Sequence, residues 1–265
     1  MYLLPGRGVP TMKCAVSDFD RTLYVDGKIS REDQEAVERW QQAGHWFVLA
    51  TGRNESSLRE RLEELGDGAI CPDILILNNG ALILDKAGKE LYQKTLDHHT
   101  AMAVLEYFDQ ADEVGSGVSL RDKKLNVVRE AGMKTTQKVC DGEITLREAK
   151  YLEDILQIHH RRPDNPAIID CMCEEINEKF PDAAAYSNVW NGDVVAKGVG
   201  KAEAIHLLEK MKGPFEEVLV IGDSANDLDM IRQYAGAAVS VAVPEVLEVS
   251  AEIVNSVAEY LEAHL

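Results

Sequence analysis

The chain has little of what a zinc site, a disulfide framework or a membrane span requires. Its 265 residues include five cysteines, Cys14, Cys71, Cys140, Cys171 and Cys173, an odd number with no CxxC pair. That pattern argues against structural zinc and for a reduced, cytoplasmic protein. Cys14 and Cys171 have apolar neighbours and read as small core residues. No run approaches the roughly 18 apolar residues of a membrane helix. The opening Met1-Tyr-Leu-Leu-Pro-Gly-Arg is too short and too broken for a signal peptide. Met12 directly precedes the first apolar run, so residues 1–11 read as an extension outside the fold. Positive charge is also scarce, with 28 basic against 46 acidic residues and a formal net charge of −18. Nucleic acid is therefore not expected as a partner, because phosphate neutralisation needs Lys and Arg. The acidity reads as a solvated surface. An anionic ligand would have to find local positive charge.

What is present is a set of carboxylates placed where apolar runs stop. Cys14-Ala-Val-Ser ends in Asp18-Phe-Asp20. Val218-Leu-Val-Ile221 ends in Gly222-Asp223-Ser-Ala-Asn226-Asp227. A buried strand gains nothing from acids, so these belong at its exposed end. The two ends can meet only at one edge of a shared sheet. Carboxylates gathered there repel unless a cation sits among them. Hard oxygen donors without a nearby Cys or His cluster favour magnesium.

The organisation supports such a meeting. A hydrophobic content of 45% gives material for a core, and the length suits one large domain or a core plus a smaller one. Residues 13–17, 46–50 and 74–77 read as strands. Ser30 to Asp33 resembles a capping box opening a helix to about Ala43, and a charged helix is expected near 55–65. This alternation predicts a parallel sheet of βαβ units. A hairpin follows near 82–92, then an α+β stretch. It has helices near 98–111, 147–158 and 166–179, strand-like pieces near 117–120 and 125–129, and a strand from Ala183. The βα pattern resumes at Lys197, with a helix near 200–211, strands at 218–221 and 237–241, and helices near 226–234 and 255–263. The expected fold is α/β, a Rossmann-like parallel-sheet core of residues 12–82 and 188–265 with an inserted α+β domain over 83–187. Chemistry in open α/β sheets gathers beyond the carboxyl ends of the strands. Asp18, Asp20, Thr51, Asn79 and Asp223 all fall there.

Four motifs in this order resemble the haloacid dehalogenase superfamily, in particular its Cof-type (subfamily IIB) phosphatases. They are Asp18-Phe-Asp20-Arg-Thr-Leu, Ala50-Thr-Gly-Arg53, Lys197-Gly-Val-Gly-Lys201 and Gly222-Asp223-Ser-Ala-Asn226-Asp227. Asn79-Gly-Ala81 also fits the family's pattern. The resemblance covers about residues 12–250 and implies a C2-type cap for the insert, matched mainly by its length and position. It implies a phosphatase acting on a small phosphorylated metabolite, with a sugar phosphate as the expected class, as monomer or homodimer and without a membrane partner.

The residue types suit that chemistry. Asp18 can attack phosphorus as a nucleophile, and Asp20 can serve as general acid and base. Magnesium among Asp18, Asp20 (by its backbone carbonyl) and Asp223, with Asp227 holding the shell, would neutralise the approach of a carboxylate to a phosphate. Lys201 adds positive charge, although Lys197 competes for that role. Thr51, Gly52, Arg53, Asn79 and Asn226 are candidate substrate contacts. A phosphomutase, or a phosphate-ligand-binding protein with little turnover, fits the same residues. One departure bears on the second alternative. The family usually has glycine after the second aspartate, and this chain has Arg21. Arginine is costly there if the position needs positive φ. Arg121, Lys123 and Lys124 read as a solvated basic turn. His98-His99 and His159-His160 do not read as metal sites, since neighbours on a helix do not share a face.

Overall fold

The computed structural model describes residues 12–110, 115–129, 141–163, 165, 167–188 and 190–265. The expected extension 1–11 and Cys140 lie outside them. Among the described residues the strands form an eight-stranded sheet, a six-stranded sheet and a two-stranded ribbon. The chain opens with β1 (Cys14–Asp18), buried along its whole length. The ribbon of β2 (Tyr24–Val25) and β3 (Lys28–Ile29) leads into α1 (Arg31–Gln42). Ser30 caps that helix by accepting from the Asp33 backbone N–H at 3.0 Å. The Asp33 carboxylate is used differently from a reciprocal box. It accepts from the Ser30 hydroxyl and, at 2.8 Å, from the Ala258 N–H. This buried carboxylate therefore ties α1 to the last helix.

β4 (Trp46–Ala50), α2 (Glu55–Leu65) and β5 (Ile74–Leu77) follow. β6 (Leu82–Asp85) turns antiparallel to β5, and β7 (Glu90–Gln93) closes that edge. The chain then builds the second sheet. Its elements are α3 (His98–Gln110), β8 (Ser116–Ser119), β9 (Lys124–Val128), β10 (Gly142–Thr145), α4 (Leu146–Ala149), β11 (Gln157–Arg161), α5 (Ala167–Lys179), β12 (Ala183–Asn188) and β13 (Asn191–Ala196). It returns through α6 (Lys201–Lys212), β14 (Val218–Gly222), α7 (Leu228–Tyr234), β15 (Ala237–Val239), α8 (Pro244–Val249), β16 (Glu252–Val254) and α9 (Val257–His264). The first sheet runs β16-β15-β14-β1-β4-β5-β6-β7 and is parallel as far as β5. Its central strands are near-continuous apolar runs, as strands covered on both faces require. The expected α/β, Rossmann-like core is the fold found. Among the described residues no helix is long and apolar enough to cross a membrane.

The second sheet runs β10-β9-β8-β11-β13-β12 and is antiparallel except between β9 and β10. Several expectations change here. The helix near 147–158 is the single turn α4, and Gln157 already belongs to β11. The hairpin β6–β7 belongs to the first sheet and β13 to the second. The chain leaves the first sheet after Gln93 and the second after Ala196. His159 and His160 lie on a strand, so alternation sends them to opposite faces. His160 stacks on Phe108 of α3 with ring centroids 4.5 Å apart and meets the Ser116 hydroxyl at 2.8 Å. Cys171 is exposed, and the buried cysteine of α5 is Cys173.

One backbone position fixes how α6 meets the first sheet. Gly80 has φ +106°, and a Cβ there would lie 2.4 Å from the Gly200 carbonyl oxygen at the start of α6. Gly80→Ala should cost about 2 kcal/mol or more, from strain and displacement of that helix. Urea denaturation would measure it. An unchanged midpoint would show that the start of α6 has room to move.

Candidate active site

The site assembles because β1, β4, β5 and β14 all end on the same side of one sheet. Asp18 is the last residue of β1, and Thr51 follows β4. Asn79 follows β5 with φ +54°, a conformation that asparagine tolerates better than most residues. Its N–H donates to the Thr51 carbonyl at 3.0 Å, so the β4 and β5 ends are locked together. Asp223 follows β14. Asp227 reaches back and accepts from the Asp223 and Ser224 N–H groups with one oxygen, at 3.0 Å each. The turn needs Gly222, because a Cβ there would sit 2.5 Å from the Asp227 carboxyl carbon.

Lys201, the first residue of α6, is the hub. Its ammonium lies 2.6 Å from an oxygen of Asp18 and 2.6 Å from an oxygen of Asp227. The three residues are 2%, 6% and 0% exposed. Burial alone would depress the lysine, but Asp18 and Asp227 outweigh it and hold the ammonium charged above the usual range. Burial pushes the Asp18 carboxyl well up, opposed chiefly by Lys201, while Asp227 and Asp223 push it further. Asp223 is also raised, by burial and then by Asp227. Three acids thus gather around Lys201, with Arg21 as a second cation at Asp223, and a divalent cation would relieve the repulsion that remains.

Asp18, Asp223 and Asp227 each bring a carboxylate oxygen within 4.8 Å of the others. An all-oxygen set of this kind suits a hard cation. Asp227 is close enough to belong to the set, but both its oxygens already accept, from Lys201 and from the loop N–H groups. It is better placed to hold the site than to ligate. Asp223 accepts from the Thr22 hydroxyl at 3.2 Å and the Ser224 hydroxyl at 2.8 Å. The Asp20 carboxylate is turned away from this group. Arg53 grips it with two bonds of 2.7 Å, leaving the backbone carbonyl as the donor expected of Asp20.

Arg21 does adopt positive φ, at +67°. Its guanidinium lies 3.3 Å from the Asp223 carboxylate. The arginine that replaces the expected glycine is therefore a counter-ion for one of the candidate metal ligands.

A cavity of about 700 Å³ opens over this floor. Asp18, Asp20, Thr51, Gly52 and Arg53 line it. Asn79 and Asn226 are not among its lining residues. The Asn226 amide donates to Asn79 at 3.0 Å, and the Asn79 amide donates to Gln157 at 3.2 Å and to Asp193 at 3.1 Å. These two asparagines act as a joint between the sheets. Sequence reasoning missed the opposite wall, where Ser119, Gln157, His159, Arg161 and Asp193 face the cavity from the second sheet. The available signal was alternation in Gln157-Ile-His159-His-Arg161. Lys124, expected in a solvated turn, is also on this wall, and Arg121 pairs with Glu90 of the first sheet at 2.6 Å.

A family model described as haloacid dehalogenase-like hydrolase matches residues 15–260. A 5-amino-6-(5-phospho-D-ribitylamino)uracil phosphatase of Bacillus subtilis is 27% identical over 254 residues, spanning 94% of this chain and 89% of that protein. A solved haloacid dehalogenase subclass IIB sugar phosphatase superposes with a TM-score of 0.78 at 20% identity, covering 95% of this chain and 98% of its own. A haloacid dehalogenase-like hydrolase from B. subtilis gives 0.80 at 19% identity, with 95% and 99% covered. The two structures speak for the fold.

Arg21→Gly should remove both the left-handed strain and the competing charge at Asp223. Calorimetric titration with magnesium chloride should show affinity raised about tenfold, or about 1.4 kcal/mol. Weaker binding by the variant would mean that Arg21 supports the cation instead. Asp193 offers a second test. Burial pushes its carboxyl up to about 6, against the opposing Asn79 hydrogen bond. Its stabilising contribution is complete below the ordinary carboxylate range near pH 4 and is lost as pH rises through 6. The stability of Asp193→Asn relative to the natural chain should therefore climb by about 2 kcal/mol between pH 4 and 7. A difference that stays flat in denaturation curves across that range would refute the shift.

Proposed function

The chain belongs to the haloacid dehalogenase-like hydrolases, and from that premise we propose that it is a magnesium-dependent phosphatase for a small phosphorylated metabolite, a sugar phosphate in class. The observation carrying the reading is the buried clasp of Lys201 on Asp18 and Asp227 beneath a cavity lined by Asp18, Asp20 and Thr51. A relative named as a phosphatase of a phosphoribitylamino-uracil supports a small phosphorylated metabolite as substrate.

Asp18 is the nucleophile. Lys201 fixes one of its oxygens, which leaves the other to attack phosphorus. The phosphorus–oxygen ester bond breaks as the aspartyl-phosphate bond forms, and the leaving alkoxide takes a proton from Asp20. Asp20 then removes a proton from water, whose oxygen attacks phosphorus, releasing phosphate and restoring Asp18. Arg53 holds Asp20 at the cavity, and each proton transfer requires release of one of its two bonds. Thr51 spends its hydroxyl oxygen as acceptor from the Arg53 N–H at 3.1 Å, which leaves its proton to donate to a phosphoryl oxygen. Bound magnesium, held by Asp18, Asp223 and the Asp20 carbonyl, would supply the charge neutralisation that lets a carboxylate approach a phosphate. The insert, read as a cap, would exclude water until the aspartyl-phosphate has formed.

A binding protein without turnover is the second reading, favoured by the contact of Arg21 with Asp223. One experiment separates the two. Inorganic phosphate release from a panel of sugar phosphates and other phosphomonoesters is followed with magnesium and with EDTA. Release should require magnesium and fall about a thousandfold or more in Asp18→Asn. Ligand binding with no release from any member of the panel would favour the second reading.

A further inference from the structure

The second sheet presents two unlike faces. On β11, Ile158 and His160 face the side where His160 meets Phe108 of α3. Gln157, His159 and Arg161 face the cavity instead. The same face collects Ser119, paired in register with both Gln157 and Lys124, and Asp193, paired with His159. A sheet face built of amides, an imidazole and cations is not a packing surface. It is a polar roof over the carboxylate floor.

The cations of the cavity divide between floor and roof. On the floor side, Arg53 pairs with Asp20, Arg21 with Asp223 and Arg61 with Glu64. Lys124 and Arg161 belong to the roof. Strand spacing puts their backbones roughly 16 Å apart, two strands across and four residues along, with His159 between them. Lys124 reaches toward the middle, since its charge disfavours protonation of His159 and steadies the ionised form of Asp193. Arg161 spreads over Trp190, its guanidinium carbon 5.9 Å from the ring centroid. His159 is 4% exposed, and neither ring nitrogen has a hydrogen-bond partner. Asp193 and Glu60 also line the cavity, but Asp193 is turned to Asn79. Both cations line this wall of the cavity although the chain carries a net charge of −18. In the phosphatase reading the scissile phosphate belongs to the floor, beside Lys201 and the carboxylates that would hold a cation.

We infer that the substrate carries, beyond its scissile phosphate, a second anionic group, and that Lys124 and Arg161 receive it on the roof of the cavity. This rests on the phosphatase reading of the floor and narrows its substrate class to phosphomonoesters whose leaving group is itself anionic. A cavity of about 700 Å³ has room for both ends of such a molecule. Charge recognition at the far end spends binding energy away from the reacting atoms, where it positions the ester over Asp18.

The test needs no turnover. Glucose 1,6-bisphosphate and glucose 6-phosphate are titrated calorimetrically into the protein in EDTA, which separates this question from phosphate release. The bisphosphate should bind at least tenfold more tightly. Lys124→Gln and Arg161→Gln should each bring the ratio of the two affinities toward one, while Lys124→Arg should keep most of it. Far-ultraviolet circular dichroism and melting temperature verify that the variants fold. Equal affinity for the two sugars, binding of neither, or a ratio indifferent to both substitutions overturns the inference. Absence of phosphate release with a preserved ratio would overturn the catalytic reading alone.

Discussion

The site depends on one buried ammonium. Lys201 lies 2.6 Å from both Asp18 and Asp227. Without it, two carboxylates would be buried beside each other with Asp223 close by. Desolvation and mutual repulsion would then force protonation or separation. The clasp also connects distant parts of the chain, since Asp18 ends β1, Lys201 opens α6 and Asp227 follows β14. Gly80 lets α6 start against the β5 end, and Gly222 lets Asp227 fold back over the β14 end. Two glycines and one lysine thereby hold Asp18, the proposed nucleophile, in place at the sheet edge.

The second constraint is the joint between the sheets. Asn79 gives its carbonyl oxygen to Asn226 and its amide to Gln157 and Asp193. Arg121 adds a peripheral clamp on Glu90. These contacts at Asn79 are polar. Each such hydrogen bond is of modest net worth, because water can replace a partner that is lost. Asp193 makes that attachment sensitive to pH, since its carboxyl sits near 6 when buried in the joint.

Arg21 shows how one substitution alters a site without removing any reacting group. The backbone still adopts the left-handed conformation that glycine would have allowed freely. The side chain then supplies a positive charge at Asp223. In the absence of a divalent cation, this arginine balances part of the charge that the cation would otherwise balance. Metal affinity and backbone strain are thus linked through a single residue.

The sequence by itself determined the core and the floor of the site. Buried parallel strands announce themselves as apolar runs, and acids that end such runs have only the sheet edge to occupy. Asp18, Asp20, Thr51 and Asp223 were legible for that reason, and Lys201 by its place at the start of a helix. What the residues at the edge do with their side chains was decided by tertiary contacts. Asp20 turned to Arg53, Asn79 and Asn226 became a joint, and Asp227 spent both its oxygens on its neighbours. The roof was hidden for a different reason. Its strands are short, half polar and paired antiparallel across long separations, so the stretch 147–158 looked helical and Lys124 looked solvated. Only the pairing of β9, β8, β11 and β13 brings Lys124, His159, Arg161 and Asp193 to one face. Alternation along a strand is a local property, but the choice of which face meets another sheet belongs to the fold as a whole.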